Sequence, residues 1–203
     1  MSRSPLRGQR DLQNLQLPYP KESTMNKLIQ STLIAFATLT ALSLSLPADA
    51  AGRIKARGAT ENAAGGVSAG SAAAGSGPNG GRFARGAGVA TDGAGNAVGG
   101  SAGAVETATG GRAARAGQFN ANADGSFNRQ GGAVAESAAG GRLQTSGSAS
   151  GDGNGNLSGV RNTSATSAAG NSYQGQTTAA TGQGVQHSGA CYNADGVEVA
   201  CPR

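Results

Sequence analysis

Tryptophan is absent from this 203-residue sequence, aromatic residues make up 3% of it, and it contains a single histidine. Methionine and cysteine occur twice each, and only one long run is both apolar and free of charge, Leu28 to Leu46. These scarcities exclude whole classes of protein. Beyond Ala50 the large apolar side chains are one Ile, two Leu, nine Val, three Phe and two Tyr, 17 of 153 residues. That is about half the share of roughly 20% that borders on disorder. At roughly 25 cal/mol per Å² of apolar surface, so few groups cannot offset the ordering entropy of a compact domain of this size. A conventional enzyme core is excluded, and with one apolar run so is a polytopic membrane protein. What the chain has instead is glycine, 36 residues of it, all but Gly8 beyond position 50.

Met25-Asn26-Lys27 opens a charged segment ahead of the run Leu28 to Leu46, which Pro47 and Ala48-Asp49-Ala50 follow. Small residues at Ala48 and Ala50 satisfy the A-x-A rule, so residues 25–50 read as a signal peptide cleaved before Ala51. The run approaches the roughly 20 residues that span a bilayer, but the cleavage site directly after it favours the leader. Residues 1–24 form a polar extension: either a long n-region or a stretch upstream of a true start at Met25, with the second reading preferred. The chain is expected to be exported, to the periplasm, the cell surface or the medium, and to be helical only in the leader.

The exported part repeats. Gly80-Gly81-Arg82, Gly110-Gly111-Arg112 and Gly140-Gly141-Arg142 recur every 30 residues, and Gly170-Asn171 starts a degenerate copy. This divides the chain into a partial repeat at 51–79, repeats at 80–109, 110–139 and 140–169, and a last unit at 170–203. Large residues keep to columns. Phe83, Ala113, Leu143 and Tyr173 form one; Val89, Phe119, Ala149 and Ala179 a second; Ala97, Phe127, Leu157 and His187 a third. A fixed period of this kind marks stacked units that cannot bury a face alone. Within a unit the period is two, as in Phe83, Arg85, Ala87 and Val89 on alternate positions, which is strand geometry. Asp-Gly and Gly-Asn clusters supply the turns, and glycine every four or five residues argues against helix. The fold class is therefore all-β: stacked hairpins of about 30 residues, as a β-solenoid or a long meander. Phe83, Leu143, Tyr173, Val89, Phe119, Phe127 and Leu157 are expected on one inner face, with Ser148 and Gln118 opposite. Disorder is the competing account, because Gly-rich strands are weak and slip in register.

Cys191 and Cys201 flank Asp195-Gly196, a hairpin signal with Tyr192 on one arm and Val197 and Val199 on the other. Two cysteines in an exported chain pair. Their spacing does not fit a C-x-x-C redox motif, and His187 alone does not complete a zinc site. A structural disulfide closing the last hairpin is expected. This ending, with Gly170-Asn171-Ser172-Tyr173 and the Asn-x-Asp-Gly turn, resembles a group of exported Gly/Ala/Ser-rich repeat proteins of Gram-negative bacteria. The resemblance spans roughly residues 80–203 and implies export and architecture; the group has no assigned activity, so no site residue carries over. More loosely the units are similar to curli-type fibre subunits, though the regular Gln and Asn ladder of that family is absent.

Constellations for chemistry are sparse. Catalysis needs a base, acid or nucleophile held in a rigid shell, and His187 occupies a column of packing residues. The carboxylates are spread one or two to a repeat, as turn formers would be, so no enzyme and no cofactor are expected. Asp152, Asn154 and Asn156 match the first alternate ligands of a calcium loop, but Leu157 stands where its glycine belongs and Thr163 where its bidentate Glu belongs. A plain turn is expected there, and no metal. The basic residues are the one candidate site. Arg82, Arg112 and Arg142 share a column, as do Arg85 and Arg115. Guanidinium groups bind phosphate and carboxylate as forks, so these five are candidate contacts for lipopolysaccharide, extracellular DNA or acidic polysaccharide. Charges of this kind also keep strand edges soluble and block edge pairing; self-association through the sheet edges is the other partnership the repeats allow. The expected function is that of a structural or surface-interaction protein of the cell surface or extracellular matrix, without catalysis; the alternatives are polyanion binding and a disordered secreted polymer.

Overall fold

The computed structural model describes residues 52–201. The extension at 1–24 and the leader at 25–50, with its expected helix and cleavage site, lie outside the described residues. Eleven strands follow: β1 (Gly52–Glu61), β2 (Val67–Ser76), β3 (Arg82–Thr91), β4 (Ala97–Glu106), β5 (Arg112–Ala121), β6 (Ser126–Glu136), β7 (Arg142–Asp152), β8 (Leu157–Thr166), β9 (Ser172–Ala180), β10 (Gly184–Tyr192) and β11 (Glu198–Val199). They lie side by side in sequence order in one antiparallel sheet. Of the two expected architectures the chain adopts the meander, and ordered strands occupy the repeats in place of the disordered alternative.

The turns set the geometry. They begin at residues 62, 77, 92, 107, 122, 137, 152 and 167, a step of 15, and in each the first residue's amide donates to the carbonyl four residues on. In the turn from Thr107, Gly110 returns a bond to the Thr107 carbonyl at 3.0 Å. Gly110 has φ 90°, a conformation costly for any residue with a Cβ. Where the first residue is Thr107, Ser137 or Asp92, among others, its side chain also caps the turn. Thr107 Oγ1 accepts from the Gly111 amide at 2.9 Å, and Ser137 Oγ accepts from Gly141 at 3.0 Å. Asp92 Oδ1 accepts from the amides of Ala94 at 2.8 Å and Asn96 at 3.0 Å.

Three turn carboxylates are held below the ordinary aspartate pKa. For Asp92 the chief cause is the Asn96 side-chain amide, followed by the Ala94 amide; Asp152 is treated the same way by Asn156 and Asn154, and Asp124 by Ser126. A depressed folded-state pKa contributes stability above the unfolded value of about 3.9, lost as pH falls through the lower folded value. Denaturant midpoints should thus be level between pH 7 and 5 and fall below about pH 4. Asparagine keeps the accepting oxygen, as Asn62 does for the amides of Ala64 and Gly66. The triple variant Asp92→Asn, Asp124→Asn, Asp152→Asn loses the charge and the second acceptor used by Asn96 and Asn156, so it should show a lower neutral-pH midpoint and a shallower acid limb, measured by circular dichroism in urea. An unchanged acid limb would refute the turn assignment.

Because each regular turn closes on residues i and i+4, paired residues always share parity: Phe83 faces Val105, Val105 faces Ala113, Ala135 faces Leu143. All odd-numbered strand residues therefore stand on one side of the sheet and all even-numbered ones on the other. The two sides are called here the odd and even faces. The apolar set expected on one face is there, on the odd face, and Ser148 and Gln118 are on the even one. The face is not an interior, however. A single layer has nothing to close against, and among the described residues only Ala73, Ala90 and Cys191 are buried apolar residues, while Leu157 is 54% exposed. Cohesion comes from ladder hydrogen bonds, each contributing about 0.5–1.5 kcal/mol net, and from cross-strand side-chain pairs.

On the odd face each phenylalanine lies across a glycine of the adjoining strand. Ring atoms of Phe119 occupy the place of a Cβ on Gly99 (2.5 Å), those of Phe127 the same place on Gly151 (2.5 Å), and those of Phe83 on Gly75 (2.9 Å). Tyr173 lies across Gly175 and Gly189 and reaches His187 Nε2 at 3.1 Å. Here His187 leaves the column of Ala97, Phe127 and Leu157. The shorter β9–β10 connection pairs Ala180 with Gly184, which slides His187 opposite Thr177, whose Oγ1 lies 2.9 Å from Nδ1.

Candidate functional site

The parity rule separates the arginines that columns alone group together. Arg82, Arg112 and Arg142 lie on the even face in one row that runs across the strands: Arg82 faces Glu106, Glu106 faces Arg112, Arg112 faces Glu136, and Glu136 faces Arg142. Charges alternate along this row. Arg82 Nη2 is 3.0 Å from Glu106 Oε2; Arg112 donates to Glu136 Oε2 through Nη2 at 2.8 Å and Nε at 3.1 Å; Arg142 Nη2 is 3.7 Å from Glu136 Oε1. The Arg112 hydrogen bond is the main reason that the Glu136 pKa is lowered and that of Arg112 raised.

Glu136 is the hinge of this row, with a cation on either side. Each pair is exposed and screened by solvent, so its contribution to stability is small. Glu136→Lys would align three adjacent cations and should lower the urea midpoint at low salt, since like charges directly opposite repel. Adding 1 M salt should return most of the loss by screening. A salt-insensitive loss would count against the ladder.

Arg85 and Arg115 stand on the other side. The odd face takes Arg53, Lys55 and Arg57 from β1, and Arg85, Arg115, Arg129 and Arg161 from the inner strands, against one carboxylate, Glu61. The strands of the even face carry three arginines against Glu106, Glu136, Asp152 and Glu198. The sheet is thus strongly polarised: its positive charge is concentrated on one side. Among the described residues Arg85, Arg115, Arg129 and Arg161 enter no ion pair and are exposed. Lys55, Ala73, Arg85, Gly103 and Arg115 form one row from β1 to β5. Cations therefore fall on every second strand, about 10 Å apart at the usual strand spacing, with only Ala73 and Gly103 between them.

Next to this row lies a shallow groove of about 970 Å³. Its floor is made of small residues such as Ala87, Ser101 and Gly117, and Phe119, Phe127 and Arg129 line its far side. Arg129 sits directly opposite Phe119. At the β1 edge, Arg53 lies 5.8 Å above the Phe83 ring, within cation–π range.

At the C-terminal end Cys191 and Cys201 form a disulfide, with Cα atoms 5.3 Å apart, that holds the two-residue β11 against β10. The Asp152 carboxylate is occupied by its own turn, accepting from the Asn154 and Asn156 amides and the Asn156 side chain.

Such a chain is a single-layer antiparallel β-meander with one basic, aromatic-bearing face. No protein-family model, no curated protein and no solved structure matches it.

The sequence columns leave the partners of the arginines unseen. Glu106 and Glu136 recur at the same 30-residue spacing, each six residues before the next Arg, and folding the repeat back at each turn brings them opposite. Arg129 and Arg161 fall in no column. Only alternation, counted through the turns, places them with Arg85 and Arg115.

Proposed function

We propose that the chain is an exported structural or surface-interaction protein of the cell surface or extracellular matrix, acting through the faces of its sheet and without catalysis. One observation carries the reading: the sheet is a single layer with its side chains in solvent on both sides, so nearly all of its chemistry is presented outward rather than enclosed. The disulfide agrees with an oxidising destination. The leader at residues 25–50, and the resemblance to exported Gly/Ala/Ser-rich repeat proteins, point the same way. Cell fractionation with intact-mass analysis tests it. The expected species begins at Ala51, lies outside the cytoplasm and lacks two hydrogens relative to the dithiol. A cytoplasmic species retaining residues 25–50 would overturn the reading.

Polyanion binding is the second reading, favoured by the unpaired cations of the odd face. The mirror-image charge ladder of Arg82, Arg112 and Arg142 supports it less, since glutamates already occupy those guanidinium groups.

A further inference from the structure

We infer that the odd face between β1 and β6 binds an extended uronate-bearing polysaccharide that presents one carboxylate per disaccharide to the sheet. The inference rests on the surface-interaction reading and names the face, its residues and the chemistry of the partner.

Three features of the face converge. The first is charge without compensation. Lys55, Arg85 and Arg115 share one row, no carboxylate interrupts it, and none of the three is in an ion pair. The second is spacing. At about 10 Å between cations, the row matches the length of one disaccharide in an extended uronate chain, so every second sugar presents its carboxylate to a guanidinium or ammonium group. The third is the ring surface. Across the groove, Phe119 (about 13 Å along β5 from Arg115, and opposite Arg129) and Phe127 lie across Gly99 and Gly151 instead of projecting, so they offer ring faces to the C–H faces of pyranose sugars on the far side of the groove.

The same features argue against other occupants. Duplex DNA carries a charge about every 1.7 Å of its axis, far denser than this row. A bilayer requires apolar groups that reach about 5–10 Å into the interface, which rings lying across the sheet do not do. A second copy docked face to face would set seven cations against seven.

The test uses the full exported chain and four probes at the same ionic strength: oligomannuronate, hyaluronan oligosaccharide, a DNA duplex and vesicles of phosphatidylglycerol. Isothermal titration should show binding to the two uronate-bearing glycans that weakens with salt. The variant Arg85→Gln, Arg115→Gln, Arg129→Gln should lose at least tenfold in affinity and flatten the salt dependence. Phe119→Leu with Phe127→Leu should weaken glycan binding several-fold and leave the salt slope unchanged. The even-face variant Arg82→Gln, Arg112→Gln, Arg142→Gln should stay within twofold of the parent, with circular dichroism checking that all variants keep the sheet. Equal losses from the two arginine sets would overturn the inference, as would tighter binding of DNA or vesicles than of glycan, or no glycan binding at all. A chain found exported and at the surface that ignores both glycans would defeat this inference alone. A chain retained in the cytoplasm with its leader would defeat the surface reading, whatever it binds in a calorimeter.

Discussion

Replacing Gly147 by valine should lower the stability of the sheet by about 1–3 kcal/mol, the range for forcing atoms into filled space. Gly147 stands in mid-strand on β7, in a row with Gly117 and Gly131. A Cβ there would lie 2.7 Å from the Val160 carbonyl oxygen and 3.4 Å from the Arg161 Cα. Both are backbone atoms of β8, so relief requires prying β7 from β8 rather than turning a side chain. The reduced freedom of valine in the unfolded chain offsets under about 1 kcal/mol of this. Gly58 on edge strand β1 is the matched control, because a Cβ there meets nothing within 4 Å. Gly58→Val should stay within about 0.5 kcal/mol of the parent, as exposed substitutions do. Urea unfolding followed by far-UV circular dichroism measures both. Equal midpoints for the two variants would show that the strands do not approach as closely as described.

The second large effect is expected at the other end of the sheet. Cys191→Ser with Cys201→Ser removes a cross-link that closes an eleven-residue loop, which contributes somewhat less than about 3 kcal/mol by chain entropy. The loss should be local. β11 has only two residues, paired as Cys191 with Val199 and Tyr192 with Glu198, and it cannot hold itself in place. Its release would expose the outer edge of β10, where strand addition becomes possible. Hydrogen exchange should accelerate through residues 184–201 and leave β3 to β7 unchanged. Uniform acceleration across all strands would mean that the disulfide secures the whole sheet, and no acceleration that it secures nothing.

The strands were legible because alternation and turn chemistry agree at each repeat. Asp92-Gly93 and Asn122-Ala123-Asp124-Gly125 mark turns by composition alone, and the columns through Phe83 and Val89 keep their rows in the sheet. The openness of the fold was not legible. An apolar column reads equally well as the lining of a closed coil or as one side of a single layer, and closure depends on the sense of each turn, which composition does not specify. His187 was misplaced for a local reason. The connection after Ala180 is shorter than its predecessors, and a column drawn at constant spacing carries straight past it. The candidate site was half legible: Arg85 and Arg115 stood out as a pair, while Arg129, paired across to Phe119, belongs to no repeating position and emerges only from register.

The step of 15 residues per strand and turn has a consequence for how such a chain can change length. Fifteen is odd, so loss or gain of one strand with its turn would renumber every downstream residue from odd to even and carry Arg129, Arg161 and Phe127 to the opposite side of the sheet. Loss or gain of two strands, 30 residues, leaves every downstream side chain where it was. Duplication or slippage in the coding sequence is therefore harmless in whole hairpins and disruptive in halves. A ruler marked in single strands is thereby read by inheritance in pairs, which accounts for a sequence period twice that of the backbone.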